Sequence, residues 1–251
     1  MKTRLFKTLS LCFALLMLLV SCSKVPTMKM KDGVYVNKKT KTSYTHASAC
    51  YRANEYVDNP VAKIEPKEGQ EIILYSISGM DGKKWLCDEN FLVYHAVGEN
   101  PPALWEMTIR EVFINKTVNA SYTVQKITEA SKIEKLIEIY QNGTSFSYDD
   151  ITHADLSVKP NPKRYDIVFA DTSLSYYLDY LQFEHEVQVW EEVSDPKNVE
   201  SAYPGVEMTL ETYKGETYAV YHFGKHIMYN RETGRCYPVD DVLAPYFSEE
   251  N

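Results

Sequence analysis

The chain has 251 residues and a formal charge of −8 at pH 7, with 27 basic and 35 acidic side chains. This acidic balance opposes general binding to nucleic acids, which depends on clustered Lys and Arg side chains, so we expect no nucleic-acid partner. The length allows one large domain or two smaller ones, each with its own buried core.

The first 22 residues have the layout of an export signal. Three cations, Lys2, Arg4 and Lys7, precede an apolar run that extends from residue 9 to residue 20. A run of about 12 residues is too short to cross a bilayer as a helix, which takes roughly 20. A basic start followed by a short apolar run is typical of a cleaved signal peptide.

The signal ends in Leu19-Val20-Ser21-Cys22. These residues closely resemble the lipobox of bacterial lipoproteins, in which Leu is followed by a small or aliphatic residue, then Gly, Ala or Ser, and then Cys. The resemblance implies that residues 1–21 are removed and that Cys22 carries a diacylglycerol on its sulfur. Two acyl chains suffice for stable membrane anchoring. An ordinary signal peptide with a chance cysteine is the alternative.

The resemblance also implies an extracytoplasmic location, anchored to the cell membrane or the outer membrane. Residues 22–31 would form a short tether, and residues 32–251 would form the extracytoplasmic folded region. Lys24, Lys29 and Lys31 would lie near acidic headgroups and be attracted to them.

The sequence pattern in the first part of the folded region predicts strands and no helix. Alternating β-forming residues indicate a hairpin over 33–45 with a polar turn at 37–40. Further strands are predicted at 61–64, 71–77, 84–87 and 91–96, and we expect the last three to form a meander. The sequence Asn100-Pro101-Pro102 cannot continue a helix or a central strand. Residues 98–104 are therefore the best break between two possible subdomains.

One main helix is predicted, over about 129–141. Ile133, Leu136, Ile137 and Tyr140 have the spacing i, i+3, i+4 and i+7, which gives one apolar stripe. Ser131 with Glu134 forms a capping box, and Thr128 is the alternative N-cap. Gly143 suits the left-handed position after a helix.

The second half of the chain again predicts mostly strands. They lie at 109–114, 120–127, 165–169, 175–188, 218–223, 226–229 and 235–239. We expect a turn at 115–116, a break at 184–186, and a tight hairpin at Gly224-Lys225. A short C-terminal helix is predicted within residues 240–247, and Pro245 limits its length. The predicted fold class is therefore α+β, dominated by antiparallel sheet with one main helix.

Three cysteines remain once Cys12 is removed with the signal and Cys22 carries lipid. They are Cys50, Cys87 and Cys236, and an odd number cannot form a complete disulfide framework. A single Cys50–Cys87 bridge and three free thiols are both compatible with the sequence.

No residue pattern predicts catalysis, a metal or a cofactor. His222 and His226 are four residues apart, which aligns ligands on a helix, but they lie in predicted strands. The chain has no Gly-x-Ser-x-Gly elbow, and no cysteine lies in a known catalytic signature. We therefore expect no catalytic residue, no metal site and no cofactor.

The densest aromatic segment extends from residue 176 to residue 190. Strand alternation places Tyr176 and Tyr180 on one face and Tyr177 and Phe183 on the other. We take Tyr176, Tyr180 and Trp190 as candidate ligand-facing aromatic residues, with ordinary sheet packing as the alternative.

The predicted function is that of a membrane-anchored, extracytoplasmic lipoprotein that binds a protein or glycan partner without catalysis. Two alternatives are an envelope-associated hydrolase with an unrecognised site and a structural component of an envelope complex.

Overall fold

The structure is a computed structural model that describes residues 25–65, 69–117, 120–152 and 160–247. Its strands form a closed seven-stranded barrel, an eight-stranded sheet and a four-stranded sheet. The expectation of a predominantly antiparallel β protein is confirmed, but the strands are divided among three sheets. Cys22 and the signal before it lie outside the described residues.

The barrel is built from strands near the beginning of the chain. They are β1 (Thr27–Lys31), β2 (Val34–Asn37), β3 (Thr42–His46), β5 (Tyr56–Ile64), β6 (Ile72–Ile77), β7 (Trp85–Cys87) and β8 (Val93–Ala96), with β4 (Tyr51–Ala53) outside the barrel. The order is β1-β2-β3-β8-β7-β6-β5, and a parallel β1–β5 pair closes it. Inward-pointing apolar residues such as Met28, Leu74 and Leu86 fill its interior. The predicted hairpin and meander are both confirmed.

Residues 27–31, predicted as part of the tether, form strand β1 instead. Met28 is fully buried inside the barrel, and the Pro26 carbonyl accepts a hydrogen bond from the Lys63 backbone N–H at 3.0 Å. In this strand the apolar Met28 points into the barrel, whereas Lys29 and Lys31 are exposed. The chain is therefore fixed to the barrel from Pro26 onward.

The eight-stranded sheet forms the centre of the molecule. Its strands are β9 (Glu111–Thr117), β10 (Ser121–Ile127), β11 (Phe146–Ser147), β13 (Lys163–Ala170), β14 (Leu174–Gln182), β18 (His226–Asn230) and β19 (Arg235–Pro238), together with β4. The order is β10-β9-β13-β14-β18-β19-β11, and β4 pairs with β14. Barrel residues Ile77 and Trp85 share one apolar core with sheet residues such as Ile167. The segment 98–104 lies between β8 and β9, and its role as a subdomain boundary stays a prediction.

A four-stranded sheet packs against the central one. It contains β12 (Ile151–Thr152), β15 (Gln188–Glu192), β16 (Glu207–Tyr213) and β17 (Glu216–His222), in the order β12-β15-β17-β16. Val189 and Tyr221 contribute to a second apolar core with Leu181 and Ile227 of the central sheet. Strand β16 is absent from the sequence-based prediction.

The predicted hairpin at Gly224-Lys225 is wrong. Strand β17 pairs with β15 and β16, whereas β18 pairs with β14 and β19, so the chain passes from one sheet to another at this point. Gly224 has a φ of +78°, and the Asp240 carboxylate accepts the backbone N–H groups of Lys225 and His226, each at 2.9 Å. This contact with a residue distant in sequence redirects the chain.

The turn predicted at 115–116 is also displaced. Asn115 and Lys116 lie within β9, which pairs with β10 as far as Thr117. The Asn115 side chain accepts a hydrogen bond from the Thr123 hydroxyl at 2.9 Å, across the two strands. This cross-strand contact satisfies a polar side chain that otherwise favours turns.

The main helix, α1, covers Ala130–Asn142, close to its predicted bounds, and the short helix α2 covers Asp240–Leu243. Single turns of 3-10 helix lie at Leu104–Glu106, Tyr148–Asp150 and Ala244–Tyr246. The stripe of α1 faces the core, with Ile133 and Leu136 buried. The capping prediction is wrong, because Glu129 occupies the N-cap position and makes no side-chain cap there.

Gly143 ends α1 for a reason other than the predicted one. Its φ is −71°, so it is not left-handed, but a Cβ built on it would lie 2.4 Å from the Ile139 carbonyl oxygen. Gly143→Ala should therefore lower the free energy of unfolding by about 1–3 kcal/mol, the usual cost of forced overpacking. Chemical denaturation followed by circular dichroism measures this change. The exposed Gln141→Ala is the control, and equal stability of the two variants would contradict the steric explanation.

The three remaining cysteines are buried and unpaired. Cys50, Cys87 and Cys236 form no disulfide, which decides between the two alternatives left open by the sequence. Burial raises the pKa of all three thiols, to about 12 for Cys87 and Cys236. Since the thiolate is the reactive form, native protein should react slowly with a thiol reagent at pH 8, and denatured, lipidated protein should show three thiols. A count of one thiol after denaturation would indicate a bridge.

Candidate binding face

Two of the three candidate ligand-facing aromatic residues are in the core. Tyr180 has no exposed surface and Tyr176 is 7% exposed. The Tyr176 hydroxyl lies 2.8 Å from the Tyr140 hydroxyl of α1, and the Tyr180 hydroxyl is hydrogen-bonded to the His226 ring. Their predicted role is therefore corrected to core packing. The alternation that places them on one face is right, but α1 and the C-terminal segment cover that face.

Trp190 lies on the outer face of the four-stranded sheet. Residues opposite each other in neighbouring strands share a face, and the register places Trp190 opposite Val220, which is opposite Thr209. The next same-face row is Glu192, Tyr218 and Glu211. Val189, Ala219 and Tyr221 point to the other side, into the second core. We call this outer side the aromatic face: Gln188, Trp190, Glu192, Glu207, Thr209, Glu211, Tyr213, Glu216, Tyr218, Val220 and His222.

Three aromatic rings form a cluster on the aromatic face. The Trp190 ring centroid lies 5.7 Å from that of Tyr218 and 6.3 Å from that of Tyr213, and all three side chains are half-buried. The Trp190 and Tyr213 rings meet edge to face, at 80°. The Trp190 indole N–H donates to Gln188 Oε1 at 2.9 Å, which fixes the ring. The rings therefore make a corrugated apolar patch rather than one flat platform.

His222 anchors the end of the face. Its Nδ1 lies 2.9 Å from Glu186 Oε2, and its Nε2 lies 3.0 Å from the Thr209 hydroxyl. Both ring nitrogens thus have protein partners, so His222 serves to hold β16 against β17. Among the described residues, no group of three or more His, Cys, Asp or Glu side chains is placed to hold a metal ion.

The aromatic patch is surrounded by carboxylates. Glu192, Glu207, Glu211 and Glu216 are all exposed, and none forms an ion pair with another described residue. Glu216 accepts a hydrogen bond from the Tyr218 hydroxyl at 2.6 Å, and this bond raises the Tyr218 pKa to about 12. The Tyr218 hydroxyl therefore stays protonated at physiological pH. Lys214 Nζ lies over the Tyr213 ring, 4.8 Å from its centroid. The patch therefore combines apolar rings, four exposed carboxylates and this one cation.

Strand β16 is the last strand in its sheet, so one side of its backbone has no strand partner among the residues that the structure describes. An edge strand presents N–H and C=O groups to which a further strand can add. Glu207, Leu210, Glu211 and Thr212 along it are exposed. The aromatic face and this open edge adjoin each other.

Sequence reasoning found Trp190 but missed Tyr213 and β16. The signal for β16 lies in the residues that follow it, because Lys214 (φ 51°) and Gly215 (φ 92°) form a two-residue turn with positive φ values. Such turns connect hairpin strands, and Gly is favoured in them. The alternation Thr209, Glu211, Tyr213 before this turn completes the pattern.

A separate polar pocket of about 470 Å³ lies at the junction of β14 and β18. Lys163, Glu184, Lys225 and His226 line it, together with buried Phe183 and Phe247. Burial lowers the pKa of His226, although the nearby Asp240 carboxylate acts in the opposite direction. The His226 imidazole and the Glu184 carboxylate, which line the same pocket, are residue types of general acid–base chemistry.

Comparisons with protein-family models, with curated proteins and with solved structures give no match. In the described parts of the chain, no helix combines the length and the apolar character needed to cross a membrane.

Proposed function

We propose that the protein is a lipid-anchored, extracytoplasmic binding protein whose partner docks on the aromatic face. The sequence at Cys22 supports the anchor and the location. The single observation that supports binding is the cluster of Trp190, Tyr213 and Tyr218 beside an open strand edge. Aromatic side chains that leave part of their rings exposed supply much of the contact energy at protein interfaces. We class the folded region as α+β because α1 covers one face of an antiparallel sheet.

The partner we infer is a basic polypeptide segment in extended conformation. Its backbone would pair with the free edge of β16, which is the usual mode of strand addition. Its Lys or Arg side chains would lie against the exposed carboxylates and over the Trp190 and Tyr218 rings, where cations are attracted, since Lys214 already lies over Tyr213. The edge-to-face arrangement of Trp190 and Tyr213 gives no flat surface for stacking a sugar chain. The charge and the ring geometry therefore favour a protein partner over a glycan.

Trp190→Ala tests this proposal. The probe is an eight-residue peptide of alternating Lys and Val, titrated into the full chain in detergent and followed by calorimetry. We expect binding that weakens at least tenfold in Trp190→Ala and that also weakens with added salt, because screening reduces exposed charge interactions. Trp105→Ala is the matched control, since Trp105 is 47% exposed next to α1.

Three results would contradict the proposal. One is equal binding of a Glu-Val peptide, and another is equal loss of binding in both Trp variants. The third is binding of an oligosaccharide instead of the basic peptide, which would assign the face to a glycan.

The pocket at His226 favours a hydrolase as the second candidate function. It brings the buried His226 imidazole and the exposed Glu184 carboxylate to a cavity of adequate size for a small substrate. Assay of the chain against ester and glycoside substrates tests this candidate. Turnover that is lost in His226→Gln and kept in His222→Gln would place the hydrolase ahead of the binding protein.

A further inference from the structure

The barrel has an open mouth at the end where the chain enters it. A cavity of about 510 Å³ lies there, lined in part by Val25 and Pro26. Met28 pairs with Asn37, so the β2–β3 turn is at the same end as the start of β1. Lysines are frequent in the two turns that frame the mouth: Lys38, Lys39, Lys41 and Lys83, all of them exposed. This end of the barrel therefore carries four exposed lysines, with Asp81 in the same turn as Lys83, in a chain whose net charge is −8.

The backbone at two of these lysines is fixed by its own turn. Asn37 Oδ1 accepts the backbone N–H of Lys39 at 3.0 Å, and Asp81 Oδ1 accepts the backbone N–H of Lys83 at 2.9 Å. The Tyr44 hydroxyl, from inside the barrel, donates to the Lys83 carbonyl at 2.7 Å. Neither lysine forms an ion pair within the described residues, and both line the cavity. Two lysines without an ion pair among the described residues therefore line the mouth, and Asp81 lies in the same turn as Lys83.

The cavity also contains an amide donor. Asn37 is 3% exposed and lines the mouth, and its Oδ1 is occupied by the turn. Its Nδ2 makes no hydrogen bond to any described residue, and no described side-chain nitrogen or oxygen is both buried and without a partner, so the Nδ2 group is accessible from the cavity. An accessible amide donor of this kind is suited to an oxygen of a bound ligand. Two ammonium groups and one amide donor are the groups that recognise a phosphate.

The mouth lies close in sequence to Cys22, and this closeness indicates the source of that phosphate. Pro26 is fixed to the barrel by its hydrogen bond from Lys63, and Cys22 precedes it by four residues. Four residues span at most about 14 Å. If Cys22 carries the lipid anchor, the mouth lies within reach of the headgroup layer.

We propose that the barrel mouth binds the phosphate of an anionic phospholipid headgroup through Lys39, Lys83 and Asn37. This inference rests on the proposed anchoring at Cys22. It makes the barrel end a second membrane contact, and it fixes which end of the barrel faces the bilayer.

Native mass spectrometry of the full, processed chain tests the inference. The chain is released from detergent micelles that contain either phosphatidylglycerol or phosphatidylcholine. In a third sample the micelles contain no lipid and the buffer contains inorganic phosphate. We expect retention of phosphatidylglycerol at least fivefold above that of phosphatidylcholine, and a loss of this preference in K39Q/K83Q. The control is K135Q/K197Q, which removes two exposed lysines far from the mouth in sequence and should retain lipid as wild type does.

Equal retention of the two lipids, or equal retention by K39Q/K83Q and wild type, would overturn the inference. Retention of inorganic phosphate as strong as that of phosphatidylglycerol would show a free-phosphate site instead. The mass of the processed chain reports the diacylglycerol independently. Failure of the anchor and failure of the headgroup site are therefore distinguishable.

Discussion

Leu136→Ala is expected to lower the free energy of unfolding by about 2–5 kcal/mol, which is the usual cost of truncating a fully buried Leu. Leu136 has no exposed surface, and it joins α1 to the core that the barrel and the central sheet share. Truncation of its side chain leaves a cavity between α1 and this core. Denaturant unfolding followed by circular dichroism measures the change.

The matched control is Glu134→Ala, one half-turn earlier on the exposed side of α1. Surface substitutions of this kind normally change stability by less than about 0.5 kcal/mol. A loss below about 1 kcal/mol in Leu136→Ala would contradict the placement of α1 over the shared core.

Cys22→Ala is expected to abolish lipid attachment and membrane fractionation. The thioether to a diacylglycerol requires the sulfur of Cys22, and two acyl chains account for stable anchoring. Metabolic labelling with a fatty acid and fractionation of the cells measure both effects. Cys50→Ala is the control and should stay lipidated, because Cys50 is buried in the core. If Cys22→Ala remains with the membrane as an unprocessed chain, to the same extent as the processed wild type, the lipid is not the anchor.

Local sequence patterns predicted the local elements of this fold. The apolar stripe of α1, the β2–β3 hairpin and the meander of β6, β7 and β8 each depend on residues close together in the chain. Spacing and turn composition carry that information directly. The helix bounds were correct to about one residue, although its N-cap was not.

Contacts between distant residues caused the errors. Gly224 has the composition of a hairpin turn, but the Asp240 carboxylate binds the next two backbone N–H groups, and β17 finds its partners in another sheet. Tyr176 and Tyr180 have the alternation of a half-exposed strand, but α1 and Phe247 bury them. No pattern within either strand reports what will cover it.

At the candidate site, too, local patterns were predicted correctly and long-range pairing was not. Trp190 was found because it belongs to a dense aromatic segment, whereas Tyr213 joins it only through the pairing of β15, β17 and β16. The edge position of β16, on which the proposed docking depends, follows from sheet order and cannot be deduced from local composition.

Site-specific photo-crosslinking in intact cells tests the proposed docking most directly. A photoreactive residue at Glu211, exposed on the aromatic face of the edge strand β16, is compared with one at Glu138, exposed on α1. We expect the residue at position 211 to crosslink one discrete protein, through a basic segment identified by mass spectrometry, and the residue at position 138 to give no such product. The product at position 211 should also be lost when Trp190→Ala is added. Crosslinks of equal yield at both positions, or a product at position 211 that persists in Trp190→Ala, would contradict the aromatic face as the docking site.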